Sequence, residues 1–428
     1  MNRKNALVAL GGGPSPVINA SLLGVVERCE NYDAIDTVYG ALHGIEGVLQ
    51  EDLVNLSAQN PQELQKLRHT PASGAIGTCR YKLQANAQED YQRIVDVIKA
   101  HNIGYFFYIG GNDSMDTAHK VEQLAKAEGV ELIVGGVPKT IDNDLGDEAR
   151  TLIDHTPGYG SVCRYWAMMM KDIEEENRGM CVSEPISVVQ AMGRRSGFIT
   201  AAARLADPKR ETPLLLCLAE TAHTIQTLAE EVNTRLKQHG RCIVVVNEGF
   251  DAGDIGANHD GFGHIEYGAS SQSAVQLVIN YFNKKGFNAR GTATGQLPGV
   301  LQRSTSVFRS TVDVQEAYDV AAYAVKTALE GQSGYMATIL RDYSAPQYKV
   351  YYDKKPLEVI ANSERFLPPE WITPDGFDVT DDFIDYARPL MGDAMYPLPL
   401  KDGLQDFARL SINTVDKKCA TYVPINFR

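Results

Sequence analysis

The chain of 428 residues is short of several things, and each shortage excludes a class of protein. No apolar run approaches the ~18 residues of a membrane helix. The opening MNRKNALVAL has too brief an apolar stretch for a signal peptide. No two cysteines have CxxC spacing, and no Cys/His pattern suits a metal. The seven cysteines, at 29, 79, 163, 181, 217, 242 and 419, are scattered and odd in number. That is no disulfide framework, and reduced thiols in a cytoplasmic protein are the expectation. Positive charge is scarce too: 41 Lys and Arg stand against 54 Asp and Glu, a net of −13. This argues against non-specific nucleic-acid binding and against a basic membrane-surface protein. An anionic ligand held by a local cluster of cations stays compatible with it. Internal repeats and low-complexity tracts are missing. What remains is an ordinary globular mix, 44% hydrophobic and 22% charged, long enough for two domains.

Short continuous apolar runs recur with helical segments between them: Ala6–Leu10, Asp36–Ala41, Tyr105–Gly110, Glu131–Val137, Ile186–Met192, Pro213–Ala219 and Cys242–Asn247. Continuous runs suit strands buried on both faces, as in parallel sheets. The strand–helix alternation gives an α/β fold, in which ligands sit at the carboxyl ends of strands. Between Tyr159 and Glu176, Val162, Trp166, Met169 and Ile173 form one helical stripe, read as core packing. Nine of the 19 prolines fall in 346–428, which predicts an irregular arm with few regular elements. Its Phe366 and Trp371 predict that it docks on the main body.

Three turns carry the chemistry. In "ALGGGPSPVINAS", 9–21, a strand runs into three glycines and a helix starts near Pro16. Glycines and a helix start suit an anion, but a simple tight turn would look the same. Proline stands where a dinucleotide fingerprint needs its third glycine, and no GxxxxGK[ST] occurs, so neither a dinucleotide site nor a P-loop is supported. In "YIGGNDSMDTAHK", 108–120, Asn112, Asp113 and Ser114 follow a Gly pair. One of them suffices as a helix cap, which leaves an oxygen spare for a metal or polar ligand. In "GGVPKTIDNDL", 135–145, Lys139, Thr140, Asp142, Asn143 and Asp144 crowd one strand end. An Asx turn explains one aspartate, not two and a lysine. A division of labour does: one carboxylate for Mg²⁺ or Mg-bound phosphate, one to accept a proton, and a lysine for phosphate oxygens. Phosphoryl transfer needs that set.

Taken in order, these turns resemble the phosphofructokinase family over most of 5–330. "GGNDS" resembles its Gly-Gly-Asp-Gly-Ser turn and "PKTIDND" its Pro-Gly-Thr-Ile-Asp-Asn-Asp loop. "QAMGRRSG" at 190–197, "VVNEGF" at 245–250 and "PGVLQRS" at 298–304 are similar to its sugar-binding segments. The resemblance implies two doubly wound, mostly parallel-sheet domains with an irregular C-terminal extension. Residues 1–145, with about 305–345 returning, would form the phosphoryl-donor domain, 146–304 the fructose 6-phosphate domain and 346–428 the extension. It implies Asp142 as the base for the sugar C1 hydroxyl, with Thr140 and Asp144 around the sugar and the transferred group. Met192, Gly193 and Arg194 would clamp the sugar, Arg194 also steadying the phosphoryl group. Glu248 would bind sugar hydroxyls and Arg303 the 6-phosphate. Gly12, Arg80, Gly111, Asp113, Ser114 and Lys139 would line the donor side.

Donor choice follows from two positions. ATP-using members resemble one another in having glycine at the places of Asp113 and Lys139; the Asp/Lys pair marks pyrophosphate-dependent members. Inorganic pyrophosphate is therefore the expected donor, with an ATP-dependent enzyme or a noncatalytic sugar-phosphate-binding subunit as alternatives. Three residues depart from the family pattern. Asn112 replaces the aspartate associated with Mg²⁺, leaving Asp113 as the expected metal ligand. Val300 replaces a histidine near Arg303, and Pro185 replaces an arginine. Arg290, in "NARGTATG", is the residue proposed to make up the lost grip on the 6-phosphate. The resemblance further implies a homodimer or homotetramer.

Overall fold

The structure, a computed structural model, describes residues 3–72, 74–84, 86–250, 265 and 272–428. Its strands are β1 (Lys4–Leu10), β2 (Ile35–Ala41), β3 (Leu53–Asn55), β4 (Ile103–Gly110), β5 (Ile133–Pro138), β6 (Ile186–Ala191), β7 (Leu214–Cys217), β8 (Cys242–Asn247), β9 (Ala293–Gln296), β10 (Tyr335–Arg341) and β11 (Val350–Pro356). They form two principal sheets. One has seven strands in the order β11-β10-β5-β4-β1-β2-β3, the other four in the order β7-β8-β6-β9. The four-stranded sheet is wholly parallel. In the larger one only the edge strands β3 and β11 run antiparallel.

Each apolar run became a strand because both of its faces are covered. In β1, Ala6, Val8 and Leu10 join one buried cluster and Leu7 and Ala9 another. In the second sheet Val189 and Ala191 face one core, Ile186 and Val188 the opposite one. The stripe on the helix Tyr159–Met180 is core, as expected: Val162 and Trp166 are fully buried, with Met169 and Ile173 packed beside them.

The chain returns to the first sheet after completing the second. Helix Thr311–Leu329 packs on helix Ile18–Glu30, and β10 then pairs with β5 at Gly135 and Gly136. The segment 346–428 is more regular than its prolines suggest. It contributes β11, helices Leu357–Ala361 and Asp381–Met391, and a small ribbon. Some of its prolines occupy tolerated places. Pro356 precedes a helix and Pro369 opens a 3₁₀ turn, whereas Pro389 lies inside helix Asp381–Met391 near its end. Trp371 is docked as predicted, against Phe198, Phe383 and Tyr386.

Candidate active site

The carboxyl ends of β1, β4 and β5 face those of β6 and β8 across a cleft of about 860 Å³. After β1, Gly13 lets the chain pass close to Arg303: a Cβ there would stand 2.4 Å from the guanidinium and displace it. After β4, the helix Asn112–Ala127 starts with Gly111 as its cap residue and has no side-chain cap. Capping therefore does not explain Asn112, Asp113 or Ser114. The Asn112 amide donates to the carbonyl of Ser363. An aspartate could not donate that bond. Asp113 faces Lys82, with Nζ 3.9 Å from its carboxylate.

After β5, buried Lys139 donates from Nζ to the carbonyl of Gly13 at 2.6 Å. Thr140 Oγ1 donates to Asp144 at 3.1 Å and accepts from the Asp142 amide at 3.1 Å. One hydroxyl thus fixes the spacing of the two aspartates.

The opposite wall turns on Glu248. Gly193 and Arg194 have φ of +126° and +51°, and their amides converge on Glu248 Oε1 at 3.1 and 2.9 Å. Two successive N–H groups make a small anion nest, here filled by the chain's own carboxylate. Gln302 steadies the same wall. Its Oε1 accepts from the Met192 amide and the Trp166 indole, both at 3.1 Å.

The cleft gathers Gly12, Arg80, Gly111, Asp113, Ser114, Lys139, Thr140, Asp142, Asp144, Met192, Gly193, Arg194, Glu248 and Arg303. Arg290 is not among them. It is exposed and precedes β9, at the amino end of that strand, whereas the cleft opens at carboxyl ends. Within this chain it does not line the cleft. Arg195 lies on the rim. It pairs with Glu364 at 3.4 Å and its guanidinium rests over the Phe366 ring. Three contributors were not singled out from the sequence: Gln190 and Gln302, both inside quoted motifs, and the segment 361–365. Gln302 was within reach, since it sits beside Arg303 in a quoted motif. The segment 361–365 had no local signal at all.

The family profile described as Phosphofructokinase matches residues 5–328. The chain belongs to the phosphofructokinase family. A pyrophosphate--fructose 6-phosphate 1-phosphotransferase of Methylococcus capsulatus is 37% identical over 98% of this chain and 99% of its own. Crystal structures of pyrophosphate-dependent phosphofructokinases from Marinobacter aquaeolei and Nitrosospira multiformis superpose with TM-scores of 0.86 and 0.87. Each is 35% identical over 98% of this chain, covering 99% and 100% of the respective structure.

Electrostatics in this phosphofructokinase are strained toward reactivity. Burial, with Arg303 next, lowers the Lys139 ammonium to about 7, although Asp142 opposes the shift. Burial and then Asp144 raise the Asp142 carboxyl to about 6, against the pull of Arg194, Arg303 and Lys139. Burial and then Asp142 push Glu248 up to about 7. Groups shifted by desolvation and facing one another across a cleft are a pattern that recurs at active sites. No helix among the described residues is long and apolar enough to cross a membrane.

Proposed function

We propose that this phosphofructokinase transfers a phosphoryl group from inorganic pyrophosphate to the C1 hydroxyl of fructose 6-phosphate, reversibly, giving fructose 1,6-bisphosphate and phosphate. The observation that carries the donor assignment is Asp113 together with Lys139 at one edge of the cleft. A carboxylate at 113 fills space that a nucleotide's α-phosphate and ribose would need. A like charge ~4 Å away also costs about 4 kcal/mol at an effective dielectric near 20. Lys82 answers part of that charge, so the volume of the side chain is the firmer bar. Lys139 supports a bare diphosphate with a charge-assisted bond that glycine lacks.

In this reading the half built on the seven-stranded sheet, 1–145 with about 305–345, takes the donor, and 146–304 takes the sugar. Asp142, near 6, is ionised at neutral pH and still basic enough to accept the C1 proton. Arg194 and Lys139 balance charge on the group in flight, with Arg80 and Gly12 on the donor side. Arg303 holds the 6-phosphate, Glu248 the sugar hydroxyls. Among the described residues no three His, Cys, Asp or Glu side chains converge as a metal cage. A single carboxylate, Asp113, fits Mg²⁺ shared with phosphate oxygens, which is how that ion is usually held. When bound, Mg²⁺ supplies charge neutralisation on the diphosphate. The family suggests a homodimer or homotetramer, and the reduced cysteines a cytoplasmic setting.

An ATP-dependent enzyme is the weaker reading because of residue 113. A noncatalytic subunit is weaker still, since it need not keep Asp142, Thr140, Arg194 and Glu248. The test is direct: purified protein, Mg²⁺ and fructose 6-phosphate with either pyrophosphate or ATP, following bisphosphate formation. Turnover with pyrophosphate is expected. Turnover with ATP alone would overturn the donor assignment, and none with either would favour the noncatalytic reading.

A further inference from the structure

Between the two aspartates of the third turn sits Asn143, fully buried with φ of +57°. Asparagine reaches that left-handed region more readily than most residues, but it still needs support. A distant side chain gives it. Arg365 donates from Nε to the Asn143 carbonyl at 2.8 Å and from Nη2 to Asn143 Oδ1 at 2.6 Å. Its Nη1 donates to the carbonyls of Ile153 and Asp154, both at 2.8 Å. Its own amide donates to the Asp144 carbonyl at 2.8 Å. All these bonds end on the one stretch of chain, 143–154, that carries the turn.

Arg365 is fully buried and lies beyond the residues that the family profile matches. A guanidinium is unfavourable in the interior unless its donors are met. Here they are met by main-chain and amide oxygens of Asn143, in the turn, and of Ile153 and Asp154 just beyond it. The planar fork is rigid, so it fixes the turn in two directions at once. Ser363 extends the same grip: its Oγ accepts from the Gly146 amide at 3.0 Å, and its carbonyl accepts from Asn112.

We infer that Arg365 is a positioning residue for Asp142, acting through Asn143 to hold the base at its working angle. The inference rests on Asp142 being the base. A misplaced base costs turnover, about 10²-fold per ångström by general experience, while ground-state binding of both substrates is retained.

Arg365→Lys keeps the charge and loses the fork. Its kcat is expected to fall by about 10²-fold, with KM for sugar and donor changed less than about threefold. Arg365→Ala leaves room for a guanidinium ion. Added guanidinium is expected to restore kcat at least about tenfold, and methylammonium not to, because only the fork matches the bonds. A folded Arg365→Lys with kcat within about threefold of wild type, or a loss confined to KM, would overturn the inference. Should that variant not fold, Arg365→Ala decides: recovery of kcat with guanidinium at constant KM supports the role, and no recovery refutes it. Kinetics are run with whichever donor the wild type uses, so a wrong donor assignment and a wrong role for Arg365 give separate results.

Discussion

Lys139 Nζ lies 2.6 Å from the Gly13 carbonyl, so the turn after β5 is tied to the turn after β1 through the cation assigned to the donor under the proposed function. With its ammonium lowered to about 7, Lys139 is only partly charged at neutral pH. An incoming diphosphate raises it again.

Lys139→Met is expected to raise KM for pyrophosphate by about 10–100-fold, the worth of one charge-assisted bond, and to leave KM for the sugar phosphate nearly unchanged. At pH 8 wild type should take up a proton on binding diphosphate beyond what the variant takes up. Calorimetry in buffers of different ionisation enthalpy measures this. Equal uptake in both would contradict the assigned cause.

Removing the base by Asp142→Ser should cost about 10²–10⁴ in kcat, with the sugar phosphate still bound. Wild-type activity should fall as pH drops through about 6, where Asp142 takes up its proton. A pH profile lacking an acid limb near that value would reassign the base.

The same residue should weaken the fold. Its carboxyl is raised from 3.8 to about 6, so the folded state binds the proton more tightly than the unfolded. Stability is then lost as pH rises from about 4 through about 6, on the order of 1–3 kcal/mol by pH 8. Asp142→Asn should therefore melt higher than wild type at pH 8, with the gap shrinking toward pH 4. Paired melting curves in the absence of substrate test the sign.

Asp113→Gly should open the donor side to ATP and raise KM for pyrophosphate. Coupled assays with both donors decide. If ATP use stays undetectable, the volume at position 113 is an insufficient account of donor choice.

Much of this was legible in the sequence because its signals are local. Buried runs became strands, and each polar turn after a strand end reached the cleft. Asp142, Lys139 and Glu248 were found through neighbours within a few residues. What escaped was contact at a distance. Arg365 meets Asn143 across more than two hundred positions, and no spacing rule announces such a pair. The Asn112 amide made sense only once Ser363 stood opposite it. Proline content misled for 346–428 because composition says nothing of where in a turn each proline falls.

β10 enters the first sheet long after β5 is made, since Gly135 and Gly136 pair with residues 335 and 336. A ribosome adding 5–20 residues per second needs roughly 10–40 s to cover that gap. Until β10 is made, β5 lacks its neighbour on that side, and an unpaired edge of this kind invites pairing with another chain. Chaperone demand during synthesis should therefore track the time until β10 emerges, and slow codons between those strands should lower the yield of native enzyme.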